Sequence, residues 1–174
     1  MAISIPKLAG LISCIALCSC SQTVERLDDR LAIRNQQDPA LSGSGEKLAL
    51  IVEFQGRPSV QLRDLKNGKI LPLRHFSRNQ PHSSPSLSWN GRYLAAIGQR
   101  VGRRLIIIED RLTGRSHQLP ISVQKVPVRV SLSPDASQLA LQVAEKGKWR
   151  IELFDLSKEL EIDKPRGLGL SNNF

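Results

Sequence analysis

Repeated acids, paired histidines and clustered cations are the side chains through which this sequence could do chemistry. Asp64, Asp110 and Asp155 recur at steps of 46 and 45 residues, and a ring of carboxylates could hold a cation. Each, however, precedes a turn-forming stretch (Asn67-Gly68, Thr113-Gly114 and Ser157), where an Asp side chain accepts backbone N–H groups. Turn capping is the expected role. His75 and His82 share one segment, Arg74 to Pro85, with no third ligand evident, while His117 belongs elsewhere; a structural loop is expected, and no metal site. Neither a Gly-x-Ser-x-Gly elbow nor a His-Glu-x-x-His pair occurs, and all three cysteines lie at or before position 20. The serines have no histidine and carboxylate at a suggestive spacing. No catalytic residue and no cofactor is assigned.

What must position these groups is a repeat. The pattern Leu-Ser-x-x-(Gly/Ala)-x-x-Leu-Ala starts at Leu41, Leu87 and Leu132, again 46 and 45 residues apart. A period of that length signals a repeat architecture. Within a period the apolar runs are short, rich in Val, Ile and Leu, and closed by Gly, Pro, Asn or Ser, as in Lys47 to Phe54, Ser59 to Leu65 and Ile70 to Leu73. That is how strands and hairpins read. With the stretch leading into each motif, every period is expected to hold four antiparallel strands, the size of one propeller blade.

The turns Ser42-Gly43-Ser44-Gly45, Ser88-Trp89-Asn90-Gly91 and Ser133-Pro134-Asp135-Ala136, each followed by Leu-Ala, resemble the Ser-Pro-Asp-Gly-x-x-Leu-Ala signature of TolB-like propeller repeats. Ile151-Glu152-Leu153-Phe154-Asp155-Leu156 is similar to the end of such a blade. Two features depart from the pattern: Ala136 stands in place of the turn glycine, and three repeats replace the six of the TolB-like ring. The resemblance implies an all-β fold of three four-stranded antiparallel propeller-like blades, partial or completed by oligomerisation. The expected division is a signal at 1–19, a tether at 20–37, repeats at about 38–82, 83–127 and 128–160, and a loose tail at 161–174. Trp89 and Trp149 are expected to pack between blades. Three blades leave the outer faces of the first and last uncovered, which leaves two closures open: a homodimer supplying six blades, or an open, compact arrangement whose ends are covered by the Ser21 to Gln37 segment and the tail. Such repeats serve binding proteins and peptidase propellers alike, which leaves a degenerate hydrolase accessory as the alternative to a binding or scaffolding module.

Residues 8–19 are mostly apolar and follow Lys7, too short a run to span a bilayer, which takes about 20 residues, but suited to a secretory signal. Leu17-Cys18-Ser19-Cys20 resembles a bacterial lipobox, so Cys20 is the expected lipid attachment site and the protein is expected to be exported and anchored on the periplasmic side of an envelope membrane. Removing residues 1–19 takes away one Lys and no acid, leaving 24 basic and 16 acidic groups, a net charge of +8. The charge favours an anionic partner, either an acidic envelope protein or a surface polymer; export argues against nucleic acid. In an antiparallel blade, the turn between strands two and three lies at the same end as the link to the next blade. This topology predicts one basic face carrying Arg57, Arg74, His75, Arg78, His82, Arg103, Arg104, Lys125 and Lys148.

Overall fold

The computed structural model describes residues 35–76 and 80–165. The signal, Cys20, most of the tether, Arg78 and residues 166–174 lie outside the described residues. Within the described residues the chain forms eleven strands: β1 (Gln36–Leu41), β2 (Lys47–Phe54), β3 (Arg57–Asp64), β4 (Ile70–Leu71), β5 (His82–Leu87), β6 (Tyr93–Arg100), β7 (Arg103–Asp110), β8 (Arg115–Leu119), β9 (Val126–Leu132), β10 (Gln138–Glu145) and β11 (Lys148–Asp155). They make three antiparallel sheets, β1-β2-β3-β4, β5-β6-β7-β8 and β11-β10-β9, each a simple meander. The third has three strands among the described residues, not the expected four. The reason is that the chain leaves β11 to cross the top of the molecule, where Leu156 and Leu160 are buried in the core.

The repeat is visible in the hydrogen bonds. Ser42, Ser88 and Ser133 each accept the backbone N–H five residues on, from Lys47 (3.0 Å), Tyr93 (2.9 Å) and Gln138 (2.9 Å), closing the first hairpin of each sheet. Asp64, Asp110 and Asp155 each accept the N–H two residues on, at 2.9 Å in all three cases, and so cap their turns as their spacing predicted. Gly45, Gly91 and Ala136 share one turn position with φ of 70°, 64° and 64°. Ala136 therefore holds a left-handed conformation that its two counterparts reach with no Cβ penalty, and its methyl is buried in the core.

Two apolar layers hold the sheets together. Ala49, Ile51, Val60 and Leu62 of the first sheet meet Leu87, Leu94, Ala96 and Ile107 of the second. One period later Ala95, Ile97, Ile106 and Ile108 of the second sheet meet Val130, Leu132, Leu139, Leu141 and Val143 of the third. Equivalent positions thus seal equivalent faces, as in stacked repeats that cannot bury their faces alone. The two ends of the stack differ. Leu50, Val52, Ser59 and Arg63, on the outward face of the first sheet, are buried within the single chain, contrary to the expected bare face. The third sheet's outward face is exposed, as expected.

Trp89 packs as expected: a Cβ built on Gly43 would come within 2.6 Å of its ring. Trp149 does not, because it lies on the outward face of the last sheet, which no described blade covers. The expected tail is also fastened where it begins. The Asp163 carboxylate accepts the Ser88 hydroxyl (2.6 Å), the Asn90 backbone N–H (2.8 Å) and the Asn90 side-chain amide (2.9 Å). Its own N–H donates to the Asp135 carbonyl at 3.0 Å. One residue therefore pins the chain across the turns of the second and third sheets.

Candidate basic cleft

The strand directions define two ends. At one lie the Ser-closed turns and Asp163; at the other lie the β2–β3, β6–β7 and β10–β11 hairpins. The hairpin end between the second and third sheets contains a cavity of about 390 Å³ lined by Gln99, Arg103, Arg104, Lys125, Val126 and Pro127, with Ile121 to Val123 and Gly102 completing the wall. The tight β6–β7 turn, with Val101 and Gly102 at φ of 47° and 73°, places the first two residues of β7 at the cavity. The link between β8 and β9 folds back through a bond from Lys125 N–H to the Ser122 carbonyl (3.0 Å), which brings Lys125 to the opposite wall.

These three cations are not equivalent. Arg104, exposed like Arg103, donates to the Pro127 carbonyl at 3.3 Å. Lys125 is paired with Glu152, and that carboxylate holds its ammonium above the ordinary lysine value. Arg103 is exposed at the rim. Two arginines and a lysine beside the apolar side chains of Ile121, Val123 and Val126 suit an anionic group carried on a partly apolar body. Arginine adds a planar fork that can grip a carboxylate with two N–H groups at once.

The structure brings Arg103, Arg104 and Lys125 together and disperses the rest of the expected basic face. Arg57 and Lys148 are at the same end, on the first and third sheets. Arg74 and His75 are at the opposite end. Their backbone N–H groups donate to the two oxygens of buried Glu109, at 3.1 and 2.8 Å, and the His75 ring is 2.8 Å from the Gly114 carbonyl. The cause is β4, which pairs with β3 through only Ile70 and Leu71, so the chain leaves the first sheet before running back to the hairpin end. Glu109 is a group that sequence reasoning missed. Its signal was a charged residue inside the apolar run Leu105 to Glu109, where the other two periods have Arg63 and Phe154.

His82 is at the hairpin end but buried, 3 % exposed, with the Phe76 ring edge-on at 5.3 Å and no hydrogen-bond partner on either ring nitrogen. Burial, with Arg100 adding to it, lowers its pKa to about 4, so it is a neutral core residue and offers no charge to a ligand. The folded value lies below that of an unfolded histidine, about 6.5. Between those values the unfolded chain takes up a proton that the folded chain refuses. Stability should therefore be full above pH 6.5 and fall on the order of 3 kcal/mol by pH 4, at 1.36 kcal/mol per unit. Denaturant titration of wild type and His82→Leu at both pH values checks this: the variant should lack that part of the acid loss. The carboxylates of Asp135 and Asp155, held below their ordinary range by the hydroxyls of Ser133 and Ser157, leave this window clear.

No protein-family model and no curated protein matches the chain. Among solved structures it is similar to TolB from Acinetobacter baumannii, with 18% identity and a TM-score of 0.55 over 72% of this chain and 31% of that one. A protein described as TolB from Agrobacterium tumefaciens gives 14% identity and a TM-score of 0.58, covering 71% and 46% of the two chains. The β-propeller domain of the Trilobed protease from Pyrococcus furiosus, described as having an open velcro topology, gives 19% and 0.57, covering 77% and 44%. The class is thereby defined: a TolB-like propeller fold, all-β, of three consecutive blade-like sheets. The chain spans between about a third and under half of the length of these structures.

Proposed function

We propose that this chain is a non-catalytic binding module of the bacterial cell envelope, exported and lipid-anchored through Cys20, that takes an acidic segment of another envelope protein in the cleft between its second and third sheets. The observation carrying this reading is the convergence of Arg103, Arg104 and Lys125 on one cavity, in a chain whose net charge is +9 before the leader is removed. Envelope location is supported by the leader and its lipobox-like Leu17 to Cys20, together with the likeness to TolB structures. Binding rather than catalysis is supported by the state of the histidines. His75 faces a carbonyl oxygen, and His82 is buried without a hydrogen-bond partner.

A fluorescent oligoglutamate peptide tests the cleft. Wild type should bind it with an affinity that falls steeply with salt, and Arg103→Glu combined with Arg104→Glu should weaken binding at least about tenfold, roughly 1.4 kcal/mol, without lowering the thermal midpoint, since exposed substitutions change stability little. Equal binding by wild type and the double variant, or binding indifferent to salt, would remove the cleft from consideration. Lys148→Glu, at the same end but outside the cavity, serves as the control for general charge.

A further inference from the structure

The outward edge of the third sheet has no partner strand among the described residues. In the second sheet β8 pairs with β7 from Ile106 to Asp110, and in the first β4 pairs with β3 at Leu62 and Arg63. One period on, the equivalent residues are Ile151 to Asp155 of β11, which among the described residues pairs with β10 only. Trp149, Ile151 and Leu153 project from the sheet's outward face and are 64%, 66% and 74% exposed. Val60 and Leu62, and Ile106 and Ile108, their equivalents for the last two, are buried between sheets. A strand with unpaired N–H and C=O groups and an apolar face is a template for another strand.

We propose that a second copy of this chain completes the edge, its β11 adding antiparallel to β11 about a twofold axis through Ile151. The sequence of β11 is self-complementary in that register. In antiparallel pairs, opposed residues share a face. With Ile151 opposite its own counterpart, Trp149 stands opposite Leu153 of the second copy on the outward face. Arg150 stands opposite Glu152 of the second copy on the other. Both pairings occur twice by symmetry, and apolar and opposite-charge cross-strand pairs both favour the match. A shift by one residue would oppose Ile151 to Glu152 on one face, and so set the outward face of one copy beside the inward face of the other. The unshifted register is therefore the one the side chains select. Within one chain Arg150 meets Glu145 (3.2 Å) and Glu152 meets Lys125, and the pairs across the axis add to these. The first sheet of another copy is the less suited occupant, because Leu50, Val52, Ser59 and Arg63 on its outward face are already buried.

A residue on a twofold axis cross-links to itself, and this makes the register testable with the full chain in detergent. Ile151→Cys should give a disulfide dimer on mild oxidation. Trp149→Cys and Leu153→Cys should cross-link to each other when mixed, and neither should do so alone. Wild type reports the background from the cysteines before position 21, and Val101→Cys, on a fully exposed turn, reports random collision. Arg150→Glu should raise the dimer dissociation constant at least tenfold, and Arg150→Glu with Glu152→Arg should restore it. The proposal is overturned by equal cross-linking at Ile151→Cys and Val101→Cys. A monomeric mass by light scattering at tens of micromolar, or a double variant no better than the single, overturns it as well. Closure through the first sheet, which would give a dimer whose mass is unaffected by Arg150→Glu, also overturns it.

Discussion

Asp163→Ala should lower the stability of this protein by roughly 3 kcal/mol, the largest effect expected from any single polar substitution here. The carboxylate is buried and serves three donors with two oxygens: one oxygen takes the Ser88 hydroxyl and the Asn90 backbone N–H, the other the Asn90 amide. Removing it strands those donors, and a buried polar group left unpaired costs about 1 to 3 kcal/mol, more where a charged partner is lost. The side-chain amide of Asn90 also donates to the Lys164 carbonyl, so the strap from Leu156 to Lys164 should loosen as a unit. For a chain of this size 1 kcal/mol is about 2 to 4 °C, which makes the expected fall in the thermal midpoint on the order of 10 °C. Asp163→Asn is the sharper variant. It keeps the shape but turns one acceptor into a donor facing other donors, so it should recover little. Full recovery by Asn would mean that shape, and not the acceptor pair, holds the strap.

Ile108→Ala and Leu153→Ala occupy the same place in successive repeats and should differ by several kcal/mol. Ile108 is wholly buried between the second and third sheets, and truncating a large aliphatic side chain in a core costs about 2 to 5 kcal/mol through lost transfer energy and the cavity left behind. Leu153 is mostly exposed, and its truncation should change the stability of the single chain by no more than about 0.5 kcal/mol. Chemical denaturation at low protein concentration measures both without contribution from dimer. A large loss at Leu153 under those conditions would mean that the outward face of the third sheet is covered within one chain.

The candidate cleft shows which part of a site a repeat can announce. Arg103 and Arg104 open β7 beside a two-residue hairpin, and strand direction alone put that hairpin at the same end as Lys125. Arg74 and His75 were assigned to that end by the same rule, which holds only if the fourth strand runs the length of its sheet. It does not in the first repeat. Nothing in Ile70 to Leu73 distinguishes a strand of two residues from one of five, because its length is set by what Phe76 and Glu109 do after the chain has left the edge. His82 illustrates the other failure. A histidine in a polar, proline-rich stretch reads as a surface group, yet it begins β5, and the first position of that strand lies under the Phe76 ring.

What the sequence determined by itself was everything fixed by short-range geometry repeated at a constant period. The three serines close the same five-residue turn, the three aspartates cap the same corner, and the left-handed position of Gly45 and Gly91 extends to Ala136, because each of these depends on residues within five positions along the chain. The short apolar runs recurring at that period also gave the strands of each sheet. The tertiary structure decided what depends on which neighbour is present. The same apolar positions are core in the first two sheets and surface in the third, since burial is a property of the facing sheet and not of the residue. Likewise Asp163 could be read as the start of a loose end until the fold placed Ser88 and Asn90, some 73 to 75 residues away in sequence, within hydrogen-bonding reach. A carboxylate acquires that role only from donors that the folding of the second sheet has already fixed in space.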